Sequence, residues 1–228
     1  MQALEEFRNR DQHAILCVMS LKLIAIDVLL ELDELVSQRA KEANAAILRN
    51  YPAGFLLDES HTPHVTLIQR YIEYAALETV ATAVSQVVKL HNASALKLEI
   101  AGFESWPRTD PDLEMVMMIV NRSDDICRLQ RAIIDAVQPL AASGGTAEAF
   151  APNVDGTPIN RNIVTYVEHF LPDNAGDNYQ PHVTIGFAHA NFAHEFCSRP
   201  FASFTFTPPA VAIYQLGSFG TARVKLWP

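Results

Sequence analysis

The side chains of this chain best suited to moving protons occur twice in one pattern. Pro63-His64-Val65-Thr66-Leu67 returns as Pro181-His182-Val183-Thr184-Ile185, an offset of 118 residues from His64 to His182. Successive side chains of a strand point to opposite faces, so His64 and Thr66 share one face while Val65 and Leu67 share the other. The second copy puts His182 and Thr184 above Val183 and Ile185 in the same way. A single copy would more often be an ordinary strand with a half-buried histidine; a second copy in a matching context turns the reading toward function.

Two such strands on facing lobes place two imidazoles and two hydroxyls on one concave surface, and imidazoles exchange protons near neutral pH. In-line displacement at phosphorus needs a base on the attacking oxygen and an acid on the leaving oxygen, on opposite sides of the phosphate. Threonine hydroxyls can donate to the non-bridging oxygens and stabilise the charge that builds there, without a metal. His64, Thr66, His182 and Thr184 are therefore the expected catalytic set. Continuing the alternation along the first strand brings Arg70 to the same face, where a guanidinium could pair with phosphate or form a structural ion pair. Gly186 in the second strand would leave room for substrate. Tyr179 and Phe187 are candidates to stack on a base or to pack the groove wall.

Other candidates receive plainer readings. His61 precedes a proline in a polar loop and is expected to be solvated. His189 and His194 are five apart, about 140° around a helix, unlike the i, i+4 pair of a zinc helix. Met115, Met117 and Met118 lie in an apolar run and read as core. No metal site is predicted, and no cofactor.

The elements that must position these residues can be read from periodicity and punctuation. Strands are expected at 21–30, 96–103, 114–121, 204–206, 211–219 and 222–227, with helices over 33–50, 74–91, 124–142 and 191–198. The stretch 143–178 carries Gly144-Gly145, Pro152, Gly156 and Pro158 around one expected strand, 162–169, and would form a lid or one wall of a groove. The fold class that follows is α+β: a bilobal pseudo-twofold duplication with two antiparallel sheets facing a central groove and helices packed outside.

Composition bounds the rest. With 228 residues, 49% hydrophobic and 19% charged, the chain suits a single bilobal domain over 21–228 behind a weakly constrained extension, 1–20, in which Met19 would serve as an alternative start. A net charge of −9 gives no general attraction for polyanions, so bulk nucleic-acid capture is not the expected driving force. Cys17, Cys127 and Cys197 form no CxxC pair, and a reducing cytoplasm is expected. The apolar run 14–30, broken by Lys22 and Asp27, resembles neither a signal peptide nor a span. No membrane association and no obligate protein partner is implied.

At His64-Val65-Thr66-Leu67 and His182-Val183-Thr184-Ile185 the chain resembles the two-histidine (2H) phosphoesterase superfamily, which includes RNA 2′,5′-ligase-like proteins and 2′,3′-cyclic nucleotide phosphodiesterases. The resemblance implies a cofactor-free fold in which the histidines act as base and acid and the threonines hold phosphate. It also implies a nucleotide or short RNA substrate carrying a 2′,3′-cyclic phosphate or a 2′,5′ linkage, with ligation as the reverse reaction. The alternative is a catalytically silent nucleotide- or RNA-binding module with the same groove. Which histidine is base and which acid stays open on the sequence.

Overall fold

The computed structural model describes residues 22–228, so the expected extension at 1–20 and Cys17 lie outside the described residues. Strand β1 (Leu23–Glu31) is buried along nearly its whole length, as its run of Leu, Ile and Val requires. Asp33 then stops the strand and starts α1 (Glu34–Asn50), its carboxylate accepting from Val36 N at 2.8 Å; such a cap is worth about 1 kcal/mol. The first motif opens β2 (His64–Glu73), followed by α2 (Leu77–Leu90) and β3 (Leu98–Pro107). The second half repeats the plan with β4 (Leu113–Val120), α3 (Asp124–Val137) capped by Ser123, β6 (His182–His189), α6 (Ala190–Cys197) and β8 (Val211–Leu216). Short β5 (Ala141–Ala142) and β7 (Phe204–Phe206), and the closing strand β9 (Ala222–Trp227), complete the sheets.

All pairings are antiparallel and form two sheets, ordered β5-β2-β1-β8-β9 and β6-β4-β3-β7. This is the expected α+β architecture. The expected plan of one lobe per repeat is crossed by both sheets: β5, β8 and β9 of the second half join β1 and β2, and β3 of the first half joins β4, β6 and β7. β8 of the second half pairs with β1, and β3 of the first half pairs with β4. The helices interlock too, since α1 packs against β6 and α3 against β2. Neither half can close its core without the other, and one apolar cluster runs through both sheets from Ile24 to Ile213.

The two motif strands share a second irregularity. The ladder steps from Val28–Ile68 to Leu29–Thr66, and from Val116–Gly186 to Met117–Thr184, leaving Leu67 and Ile185 unpaired. Each is a one-residue β-bulge immediately after the threonine, and a bulge reverses which face later residues point to. Hence Leu67 and Ile68 both enter the core, and the groove face resumes at Gln69 in one strand and Phe187 in the other.

The segment between β5 and β6 departs from the expected strand at 162–169. Residues Arg161–Glu168 form a helix, α4, capped by the Asn160 side chain accepting from Asn162 N at 2.8 Å, and a short α5 (Phe170–Asn174) follows. The β-branched run Ile163-Val164-Thr165 favours a strand, but Ile163 and Val167, four apart, form a helical stripe that buries against Ala25, Tyr71, Phe150 and Leu216. Helices α1, α2, α3 and α6 lie on the outer faces, whereas α4 covers part of the concave face and walls the groove.

Candidate active site

The groove between the sheets has a volume of ≈ 530 Å³ and is lined by His64, Thr66, His182 and Thr184 together with residues from both lobes and from α4. That volume suits a ligand of nucleotide size. The sequence-predicted four thus share one surface, brought there because β2 and β6 run side by side across the middle of the molecule.

The two imidazoles are oriented alike and surrounded differently. His64 Nδ1 lies 2.7 Å from Thr62 O, and His182 Nδ1 lies 2.7 Å from Gln180 O. A carbonyl only accepts, so each Nδ1 carries the proton and each Nε2 is the working nitrogen. Beside His64 Nε2, at 3.3 Å, stands Oδ2 of Asp27, a carboxylate with no solvent exposure. Oδ2 also accepts from Thr66 Oγ1 at 2.8 Å and from Gln69 Nε2 at 2.9 Å. Burial acts to lower the His64 pKa, but the Asp27 carboxylate and the Thr62 carbonyl outweigh it, and the imidazolium is held above the ordinary histidine range. For His182 burial wins: the Gln180 carbonyl opposes it only partly, the charge on His64 adds to it, and the pKa falls below the ordinary value. Trp106 packs edge-on to the His182 ring at 5.3 Å.

The asymmetry has a simple source in the register. Asp27 pairs with Gln69 in one lobe, and Met115 pairs with Phe187 at the equivalent place in the other. One lobe therefore presents a carboxylate and an amide beneath its histidine, and the other a thioether and a ring. The hydroxyls differ as well. Thr66 is engaged as a donor to Asp27, while among the described residues no side-chain hydrogen bond holds Thr184.

The expected binding residues separate. Phe187 lines the groove, edge-on to Phe55 at 5.9 Å and tilted against Phe219 at 5.7 Å, with the Arg108 guanidinium over its ring at 5.7 Å. Tyr179 borders the groove but is only 3% exposed, its hydroxyl donating to Thr66 O at 3.1 Å, so it ties the approach to the second motif onto the first rather than offering a ring face. Arg70 does not reach the groove. The bulge at Leu67 turns it away, and its guanidinium donates to Gln138 Oε1 at 3.1 Å and to the carbonyls of Val167 and Glu168 at 3.4 and 3.1 Å, closing the C-terminus of α4. Gly186 likewise faces the core: a Cβ there would stand 3.1 Å from Ile47 Cγ2, at a φ of 153°.

Among the plainer readings, Met117 and Met118 are core and Met115 borders the groove. His61 lines the groove mouth, stacked on Phe55 at 5.7 Å and beside Asp58, instead of standing free in solvent. His194 bonds Glu114 at 2.9 Å on the outer face of its sheet. Among the described residues no group of three or more His, Cys, Asp or Glu side chains is arranged to hold a metal, and no helix is long and apolar enough to cross a membrane.

Sequence reasoning missed Asp27, Phe55, Arg108 and Phe219. For Asp27 a signal existed: it is the one charged residue inside Leu23-Ile24-Ala25-Ile26-Asp27-Val28-Leu29-Leu30, and a charge is buried in such a strand only when it is paired. Phe55 and Phe219 stack at 5.6 Å from loops distant in sequence, with Phe219 at a left-handed φ of 62° and 48% exposed. A non-glycine residue held so, with its ring in a cleft, fits a binding surface.

No protein-family model matches the chain, and no curated protein does. Among solved structures it is similar to E. coli LigT in apo form, with 10% identity over 90% of this chain and 95% of that one at a TM-score of 0.41. It is similar to E. coli LigT complexed with 3′-AMP at 9% identity, over 90% and 96%, with the same score of 0.41. Kluyveromyces marxianus Usb1 with uridine monophosphate is similar at 11% identity, covering 86% of this chain and all of that one, at 0.38.

Proposed function

We propose that this chain is a two-histidine phosphoesterase that cleaves a phosphodiester on a nucleotide or RNA end, a 2′,3′-cyclic phosphate or a 2′,5′ linkage, by acid–base catalysis without a cofactor. The observation that carries the reading is the pair of His-x-Thr strands meeting in one groove, with Nε2 of each imidazole left as the working nitrogen and with opposite displacement of the two pKa values. Two titrating groups whose surroundings drive them apart are the mark of an acid and a base in one site.

The two environments support a division of roles. His182, kept neutral among apolar groups, takes a proton from the attacking water through Nε2. His64, kept charged by Asp27, gives the Nε2 proton to the departing ribose oxygen. The P–O bond to water forms as the P–O bond to ribose breaks, and a cyclic phosphate opens to a monoester. Thr184 donates to a non-bridging oxygen, and Thr66 joins it when its hydroxyl turns from Asp27 toward phosphate. Phe55, Phe187 and Phe219 offer ring surface to a base, and Arg108 offers the guanidinium that borders the groove.

The test is turnover of 2′,3′-cyclic mononucleotides, cyclic-phosphate RNA ends and 2′,5′-linked dinucleotides in excess chelator. Metal-independent cleavage of one class supports the reading and identifies the linkage. Nucleotide binding without cleavage of any class supports the silent binding module in its place.

A further inference from the structure

The pseudo-twofold axis repeats one contact that the chemistry does not use directly. Asn44 of α1 has no solvent exposure, and its Nδ2 donates both to Ile185 O at 2.7 Å and to Phe55 O at 2.9 Å. Gln130 of α3 is 2% exposed, and its Nε2 donates both to Leu67 O at 3.2 Å and to Asn174 O at 2.9 Å. Leu67 and Ile185 are the two bulge residues that follow the catalytic threonines. Phe55 and Asn174 lie in the segments that lead into the opposite motifs, nine residues before His64 and eight before His182.

We infer that Asn44 and Gln130 are positioning residues that lock the two His-x-Thr strands to each other across the pseudo-twofold axis and so set the spacing of the two imidazoles. Each amide joins the end of one motif to the approach of the other, and each comes from the helix of the opposite repeat. A bulge carbonyl lacks its ladder partner, so without the amide it is a buried acceptor left unpaired, and the strand is free to slide or to straighten. Ordinary core packing would be served as well by leucine or methionine at these positions. A primary amide is the side chain with two donor hydrogens and an acceptor, and Asn44 uses all three, since Leu57 N donates to its Oδ1 at 2.9 Å. In-line displacement needs base, phosphorus and acid in one row, and a displacement of about 1 Å costs about 10²-fold in rate.

The kinetic arm of this inference rests on the two-histidine reading, so a second arm is independent of turnover. Asn44→Leu and Gln130→Met are compared with wild type and with Ile133→Val, a packing change on the same helix as Gln130, at a temperature where all are folded. In the first arm kcat on the cleaved substrate falls by about 10²-fold in both amide variants, with KM in place, while Ile133→Val keeps its kcat. In the second arm the imidazole signals of His64 and His182 are followed by NMR across pH in the free protein. Wild-type His182 shows a step at the pH where His64 titrates, because it feels that charge, and both amide variants lose or shrink the step. A preserved step in both variants overturns the inference whatever the turnover, as does a kcat loss in Ile133→Val equal to theirs. Absence of turnover in wild type overturns the functional proposal and leaves the second arm to decide this one.

Discussion

Replacing Asp27 with asparagine separates the charge beside His64 from the shape of the site. The substitution is nearly isosteric: the carbonyl oxygen of the substituted side chain would still accept from Thr66 Oγ1, and its new amide would stand where Oδ1 does, a buried atom with no hydrogen-bond partner. What disappears is the carboxylate 3.3 Å from His64 Nε2. At an effective permittivity of about 20 the Coulomb attraction over that distance is about 5 kcal/mol before the cost of burying the charges. A hydrogen bond to a charged group contributes about 1.5–3 kcal/mol net, or roughly ten- to a hundredfold in the ratio of charged to neutral imidazole. With the charge gone, burial is opposed only by neutral acceptors, the Thr62 carbonyl and the substituted amide oxygen, and the His64 pKa moves down. The acid must be protonated and the base neutral, so wild-type kcat/KM falls below the titration of His182, under the ordinary histidine value, and above that of His64, over it. In Asp27→Asn the limb at high pH moves to lower pH and the plateau narrows; activity drops by about ten- to a hundredfold above the wild-type titration of His64 and by less at neutral pH, and acidic conditions restore part of it. The assay is a pH profile of kcat/KM on the substrate found to be cleaved. An unmoved high-pH limb, or movement of the low-pH limb instead, would refute the assignment of His64 as the acid.

Further outcomes follow from the same geometry. In the free protein, NMR titration places His64 above and His182 below the ordinary histidine pKa of 6.5; the reverse order would exchange their roles. Because the folded state raises His64, its contribution to stability is present in full below the unfolded-state value and is lost as pH rises through the folded one; chemical denaturation of wild type and His64→Gln from mildly acidic to mildly alkaline pH measures this. Phe219→Ala raises KM for a nucleotide substrate by about 1–3 kcal/mol of lost stacking with kcat preserved, measured by steady-state kinetics. Arg70→Met leaves kcat/KM within about twofold and lowers unfolding stability by about 1 kcal/mol, since its guanidinium holds helix-end carbonyls outside the groove.

Much of this site was legible because it rests on period two. The duplicated Pro-His-Val-Thr strand declares its own face over four residues, and both copies lie where that alternation puts them. Legibility ended at the next residue. The bulges at Leu67 and Ile185 carry no composition signal, since an extra leucine or isoleucine in an apolar strand looks like any other, and they shift the groove face to Gln69 and Phe187 and carry Arg70 and Gly186 off it. The helix at Arg161–Glu168 was hidden because its β-branched residues follow strand propensity, while its stripe of Ile163 and Val167 answers to the surface of β1 and β2 that it covers. Asp27 was visible as an interruption of an apolar run, but its meaning depends on the neighbouring strand that carries Thr66 and Gln69. The exchange of β3 and β8 between sheets, and the amides of Asn44 and Gln130 that it brings into place, depend on contacts between halves of the chain that no local pattern records.

The paired action of the two histidines is tested most directly by comparing His64→Ala, His182→Ala and the double variant with wild type on the cleaved substrate, in chelator and at saturating concentration. Acid and base working on one phosphodiester predict a loss of about 10²–10⁴-fold in each single variant, with the double variant close to the worse of the two because the pair acts as a unit. Wild-type turnover in either single variant would contradict the account.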